Sequence, residues 1–191
     1  MDAHTWLVFA GVAVAFSLLP GLAVIAIVST ALRGGFRASL AANAGVLVGD
    51  AAYVSAAALG LGALFAAWHG VFVAVKWAGI AYLAYLGLRA LLDRGAAFDL
   101  GAPGLERRAF RFGLTTQLAN PKVILFFGAL MPQFALLGAT FILSDALVFA
   151  GYGALAHRAR VLLKSPRAAR VTSRVTGVAM LGVAARLAAE R

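Results

Sequence analysis

Two short motifs that break helices lie in separate long apolar segments of this chain. Leu19-Pro20-Gly21 interrupts the first segment, and Asn120-Pro121-Lys122 interrupts the fourth. Each proline removes a backbone donor and pushes against the carbonyl one turn back, so we expect each helix to split there. The restarted helices would present free N–H groups and a positive dipole end, which can bind a carboxylate, and the Asn120 side chain can cap the second one. Paired breaks are typical of transporter binding sites, whereas a single proline kink is common in any membrane helix.

Two acidic residues lie inside other apolar segments. Asp50 follows Arg37 by 13 residues, and Asp145 precedes Arg158 by 13 residues. At about 1.5 Å per residue, these offsets place both acids about 20 Å from the basic edge of the membrane, near the midplane where the two prolines also fall. A carboxylate there costs about 2.5 to 3.5 kcal/mol on insertion scales, so each should face protein or water. Both are candidates for meeting an ammonium or exchanging a coupling proton, with a neutral, hydrogen-bonded acid as the structural alternative.

Further polar residues accompany the two acids in the apolar segments. Asn43 lies seven residues before Asp50, and Tyr152 lies seven residues after Asp145, so each pair shares one face of its helix. Lys122 also falls near the midplane, where a lysine needs a carboxylate partner or a substrate. We expect a proton as the coupling ion, although a sodium site would use the same oxygen ligands.

The composition of the chain indicates that these residues lie in a membrane protein. Of the 191 residues, 63% are hydrophobic and only 13% are charged, which predicts an all-α integral membrane protein. Apolar runs near the length of about 20 residues that crosses a bilayer predict six helices. They cover residues 5–32, 38–66, 70–92, 110–131, 135–156 and 175–189. The last run lies between Arg174 and Arg186, and a tilted or interfacial helix is the alternative there.

The basic residues predict the orientation of these helices. Three connecting loops are rich in arginine and lysine, whereas the loops near 68–70 and 132–138 contain neither. By the positive-inside rule, the basic loops are cytoplasmic and both termini face outward. The chain then forms one transmembrane domain of two inverted three-helix repeats with broken helices 1 and 4. The repeats cover residues 1–92 and 110–191, and residues 93–109 form the cytoplasmic loop between them.

Several other functions find little support in the sequence. There is no cysteine, the three histidines are dispersed, and no phosphate-binding or catalytic motif is present, so we expect no enzyme, metal or cofactor. The net charge of +10 is spread over short loops rather than over a folded basic face, which argues against nucleic acid. Gly45 and Gly49 predict close packing between helices, and dimerisation of two chains through these glycines is the alternative.

The motifs together resemble the LysE/RhtB amino acid exporters over nearly the whole chain. The resemblance rests on Leu19-Pro20-Gly21, Gly45 to Asp50, Tyr82 to Gly87, Asn120 to Phe127 and Pro132-Gln133-Phe134. It implies a six-helix translocator of the bacterial inner membrane that exports amino acids or close derivatives, driven by an ion gradient. It assigns the first-helix motif to Pro20 and Gly21, the second-helix acid to Asp50, and the Asn-Pro-Lys motif to residues 120–122. Leu19 and Leu22 replace the family's serine and second proline, so a capping hydroxyl is missing.

The sequence therefore predicts a secondary transporter that exports a small zwitterion. Its carboxylate would lie at the helix starts near Pro20, Gly21 and Pro121, with Asp50 and Asp145 meeting the ammonium or the coupling proton. Two alternatives stay open. An inorganic ion exporter would need a richer set of ligands, and a non-transporting membrane component with a decayed site would explain Leu19 and Leu22.

Overall fold

The described part of the chain is entirely helical in its regular structure. The computed structural model describes residues 2–19, 21–58, 104–120, 122–123, 134–160 and 166–189, and also 77, 80, 81, 84, 85, 87, 88, 91 and 92. Five helices have defined bounds: α1 Ala3–Leu18, α2 Leu22–Ala58, α3 Leu105–Leu118, α4 Phe134–Arg160 and α5 Pro166–Ala189. The described residues between 77 and 92 are helical too. Pro20 and Pro121 lie outside the described residues.

The first predicted break separates α1 from α2. Helix α1 begins after Asp2, whose side chain accepts a hydrogen bond from Thr5 N at 2.9 Å. The hydrogen bonds with Thr5 lower the pKa of Asp2 below its ordinary value. Helix α1 ends at Leu18, and Leu19 adopts an extended conformation at φ −66° and ψ 124°. The helical path resumes at Leu22.

Helix α2 contains a sharp turn at a point where the hydropathy pattern predicted a loop of several residues. Gly35 has φ 80° and ψ −175°, a conformation that residues with a side chain rarely adopt. Ala23 and Val46 belong to one buried cluster, although a straight helix would hold them about 35 Å apart. The chain therefore folds back at Gly35, and the two parts of α2 pack against each other.

The second predicted break follows α3. Helix α3 ends at Leu118, and Ala119 leaves the helix with φ −92° and ψ 7°. Lys122 is helical again, and its backbone N–H donates to Asn120 Oδ1 at 3.2 Å. Asn120 thus provides the predicted side-chain cap, which satisfies one of the free donors at a helix start.

Two helices begin earlier than their apolar runs. Helix α3 starts at Leu105 rather than near residue 110, and α5 starts at Pro166 rather than near residue 175. The hydropathy pattern marks only the apolar part of a helix, while charged residues continue the same backbone hydrogen bonding. The 24 residues of α5 measure about 36 Å along the axis, more than the hydrocarbon thickness of about 30 Å.

Helix α2 is the centre of the fold. It packs against α3, α4 and α5, while α1 packs against α4. Glycines allow the closest approach: a Cβ on Gly45 would collide with the backbone of α3, and one on Gly49 would lie 2.9 Å from Gln117 Cβ. The predicted close packing through Gly45 and Gly49 is therefore used within the chain.

The described helices have the exposed apolar surface that is typical of a membrane protein. Two segments are long and apolar enough to cross a bilayer by length and composition: Leu22–Ala57, which includes the turn at Gly35, and Leu137–Ala159. Large apolar side chains such as Leu143, Leu147 and Leu155 are exposed on α4, whereas several polar ones are buried. This distribution suits lipid, which solvates apolar side chains and leaves polar groups to bond within the protein.

Candidate functional site

A small, partly open cleft lies between the two breaks. Residues next to both breaks line it, together with aromatic walls from Phe16 and Phe149. Four polar residues, Gln117, Asn120, Lys122 and Asp145, also line the cleft, together with Gly21.

The two intramembrane acids meet beside the cleft. Asp50 is 0% exposed and Asp145 is 2% exposed. Gln117 Nε2 donates to Asp50 Oδ1 at 2.5 Å, and Ser17 Oγ donates to Asp145 Oδ1. The Asp50 and Asp145 carboxyl groups lie close enough to act on each other electrostatically. Two carboxylates at such a distance repel each other, which favours a state in which one of them carries a proton.

A series of hydrogen bonds links the second break to Asp50. Asn120 Nδ2 donates to Gln117 Oε1 at 3.1 Å, and Gln117 in turn donates to Asp50. Among the described residues, Asp50 Oδ2 has no hydrogen-bond partner. Asn120, Gln117 and Asp50 thus form one bonded series, and Ser17 and Asp145 form a separate hydrogen-bonded pair beside it.

Lys122 joins the two breaks directly. Its Nζ donates to Phe16 O and to Leu19 O, the latter at 3.1 Å, and lies 4.0 Å from the centroid of the Phe16 ring. Asp145 is close enough to act on the ammonium electrostatically. The direct partners of this lysine are thus carbonyls at the end of α1, where the helix dipole favours a cation.

A tyrosine from each half of the chain caps the end of an interrupted helix in the other half. Tyr152 on α4 donates to Leu18 O at 2.9 Å, and Tyr53 on α2 donates to Leu118 O at 2.6 Å. Leu18 and Leu118 are the last residues of the two interrupted helices. Each tyrosine therefore satisfies a carbonyl that its helix leaves without an internal partner.

Removing these hydroxyl groups should cost stability at both breaks. We expect Tyr53→Phe and Tyr152→Phe each to destabilise the protein by about 0.5 to 1.5 kcal/mol, because each leaves a helix-terminal carbonyl without its donor. The thermal midpoint of the purified protein in detergent measures this. Ser55→Ala, which removes an exposed hydroxyl from α2, is the control. Midpoints equal to that of the control in both tyrosine variants would show that the crossed bonds contribute nothing.

The structure brings most of the predicted site residues together. Asp50 accepts a hydrogen bond from Gln117, which lines the cleft, and Tyr152 contacts the end of α1. Asn43 is not a lining residue in the described part of the cleft, and its Nδ2 donates to Ala146 O at 3.1 Å. The predicted residues that line the cleft are Gly21, Asn120, Lys122 and Asp145. The predictions for Pro20 and Pro121 fall outside the described residues.

The sequence interpretation overlooked five residues of this site: Phe16, Ser17, Tyr53, Gln117 and Phe149. A usable signal existed, since Ser17 and Gln117 are polar residues within about one turn before each proline. Ser17 also places a hydroxyl at the site although Leu19 lacks one. Tyr53 lies one turn beyond Asp50, a spacing that puts both on one face of α2. No group of three or more metal-ligating side chains occurs among the described residues.

A helical membrane protein with a polar cleft between interrupted helices has the architecture of a transport protein. The sequence pattern of the family described as LysE type translocator matches residues 14–191. The chain therefore belongs to the LysE type translocators. It is a membrane transporter and not an enzyme.

Several relatives align over most of the chain. An uncharacterized membrane protein of Vibrio cholerae is 35% identical over 95% of both chains. A homoserine/homoserine lactone efflux protein of Salmonella typhimurium is 32% identical over 100% of this chain and 99% of its own. A leucine efflux protein of an Enterobacter species is 27% identical over 90% of this chain and 89% of its own. No solved structure matches the chain.

Proposed function

We propose that this protein exports small amino acids or closely related zwitterions across the bacterial inner membrane and that the cleft between the two breaks binds the cargo. The observation that supports this most is the cleft itself, which residues from both breaks and a buried acid line together. The printed names of two relatives, for homoserine or its lactone and for leucine, agree with this substrate class.

The same proposal includes six spanning helices in two inverted repeats, residues 1–92 and 110–191, joined by the cytoplasmic segment 93–109. The crossed contacts support it. Ser17 and Gln117, each next to the last residue of an interrupted helix, donate to an acid of the other half. The carbonyls of those last residues, Leu18 and Leu118, accept from tyrosines of the other half. A pseudo-two-fold axis in the membrane plane would produce this repetition.

The two ends of the first break suit the two charges of an amino acid. The C-terminal carbonyls of α1 carry partial negative charge, and the N-terminal end of α2 next to Gly21 carries partial positive charge. A zwitterion that lies across the break can place its ammonium at the first and its carboxylate at the second. The two halves then rock about this point, which exposes the cargo to each side of the membrane in turn.

The carboxyl pair is the proposed coupling element. Asp145 lines the cleft, and Asp50 lies close enough to act on it electrostatically. A proton held between the two acids can be released on one side of the membrane and taken up on the other. We therefore propose coupling to the proton gradient, with both termini outside. Dimer formation stays a prediction, since Gly45 and Gly49 are covered by α3 of the same chain.

Transport by the purified protein in vesicles tests the proposal. Vesicles loaded with radiolabelled homoserine, leucine or other amino acids should release at least one of them faster than protein-free vesicles when a proton gradient is imposed. Gly21→Phe is the matched blocked variant, because a Cβ at this position already lies 3.5 Å from Lys122 Cδ and a benzyl group would fill the cleft. We expect its release rate to equal that of protein-free vesicles.

Two outcomes would contradict the proposed function. Wild-type vesicles that release no amino acid of the panel, together with stable association of the protein with another membrane protein, would favour the non-transporting alternative. Full activity in Gly21→Phe would show that cargo passes somewhere other than the cleft.

A further inference from the structure

Lys122 sits in a small site that recognises ammonium groups in general. Its contacts are the Phe16 and Leu19 carbonyl oxygens and the face of the Phe16 ring. Terminal carbonyls of a helix lack internal partners and attract cations through the helix dipole. An aromatic face within about 6 Å adds a cation–π attraction. None of these three groups selects the lysine side chain over another primary ammonium.

This site forms part of the cargo cleft. Phe16, Leu19 and Lys122 all line the cleft, as does Asp145, which acts electrostatically on the lysine. The lysine stem passes Gly21, where the absence of a side chain leaves room for it. The lysine belongs to the second half of the chain and its carbonyl partners to the first, so its contact also holds the two halves together.

We propose that these carbonyls and the Phe16 ring form the subsite for the ammonium of the cargo and that the ammonium of Lys122 competes for it. The inference rests on the proposed function and specifies which group the cargo must carry. Cargo that enters displaces Lys122, whose charge is then available to the carboxylate of a zwitterion. Lys122 thereby sets specificity, because only cargo with both charges compensates fully for its displacement.

The competition predicts opposite effects on two related ligands. If Lys122 fills the subsite nine-tenths of the time, the apparent affinity for an incoming ammonium falls about tenfold. Lys122→Met removes the competitor and keeps an unbranched stem. Homoserine lactone, which has an ammonium but no free carboxylate, should then bind about tenfold more tightly. Homoserine itself should gain less or lose affinity, since it loses the partner of its carboxylate.

Equilibrium binding of radiolabelled homoserine lactone and homoserine to the purified full chain in nanodiscs provides the test. Arg107→Met is the matched control, because it removes one positive charge from an exposed position on α3 and should bind both ligands as the wild type does. Lys122→Arg keeps a cation and should not gain affinity for the lactone. Lys122→Gln is a second neutral variant, which serves if the methionine variant does not fold.

Lactone affinity separates the outcomes. Tighter binding of the lactone to the neutral variants, with a changed ratio of lactone to homoserine affinity, supports the subsite. Lactone binding to them that is no tighter than to the wild type, including no binding at all, overturns it. Export by wild-type vesicles tests the proposed function separately, so the two failures are distinguishable.

Discussion

Asp50→Asn is expected to reduce proton-driven efflux to the rate of protein-free vesicles while cargo exchange continues. Asparagine has nearly the shape of aspartate, and its side-chain carbonyl can still accept the hydrogen bond from Gln117 Nε2. It cannot take up or release a proton, so a coupling step that depends on the pair with Asp145 stops. Exchange of labelled for unlabelled cargo across the membrane requires no net proton movement, which is why it should persist.

The measurement compares gradient-driven efflux with exchange in the same vesicles. Asp145→Asn should behave alike, because in the proposed mechanism the two acids share the coupling proton. Asp2→Asn is the control, since Asp2 is exposed and caps α1 outside the site. Gradient-dependent efflux that is unchanged in Asp50→Asn would remove this residue from the mechanism. Loss of exchange as well would assign it to cargo binding rather than to coupling.

Gly113→Ala is expected to cause the largest loss of stability. A Cβ on Gly113 would collide with the carbonyl group of Ala42 in α2, and it would lie 3.0 Å from Ala42 Cα. These atoms are backbone, so relief requires the two helices to separate. Overpacking of this kind costs about 1 to 3 kcal/mol and occasionally more. Separation would also lengthen the bond between Gln117 and Asp50, since they lie on the same two helices.

The thermal midpoint in detergent, followed by size-exclusion chromatography, measures this loss. Gly151→Ala on α4 is the matched control, because nothing lies within 4 Å of its new Cβ. Alanine is a better helix former than glycine by about 1 kcal/mol, so the control should be neutral or slightly stabilised. Equal midpoints for the two variants would show that the α2–α3 contact tolerates a wider spacing.

Local chemistry made the helix ends and the depth of the polar residues predictable. A proline has no N–H, so interruptions at residues 19–21 and 119–121 follow from the backbone alone. The rise per residue in a helix is constant, so counting from the basic loops placed Asp50 and Asp145 at one depth, and in the structure they lie close enough to interact electrostatically. The turn at Gly35 falls in the predicted loop between the first two apolar runs, residues 33–37.

The sequence did not predict which residues pair with each other across the fold. The sequence identifies Lys122, Ser17 and Tyr53 as polar residues, but not their partners, because depth does not determine how far each helix is rotated about its own axis. That rotation depends on close contacts such as those of Gly45 and Gly113 between α2 and α3. The amino-acid sequence alone therefore determined a helical membrane protein with two breaks and two acids at matching depth. Only the tertiary structure decided that Lys122 binds the carbonyls of α1 and that Gln117 binds Asp50, because such pairs form where packing brings separate helices face to face.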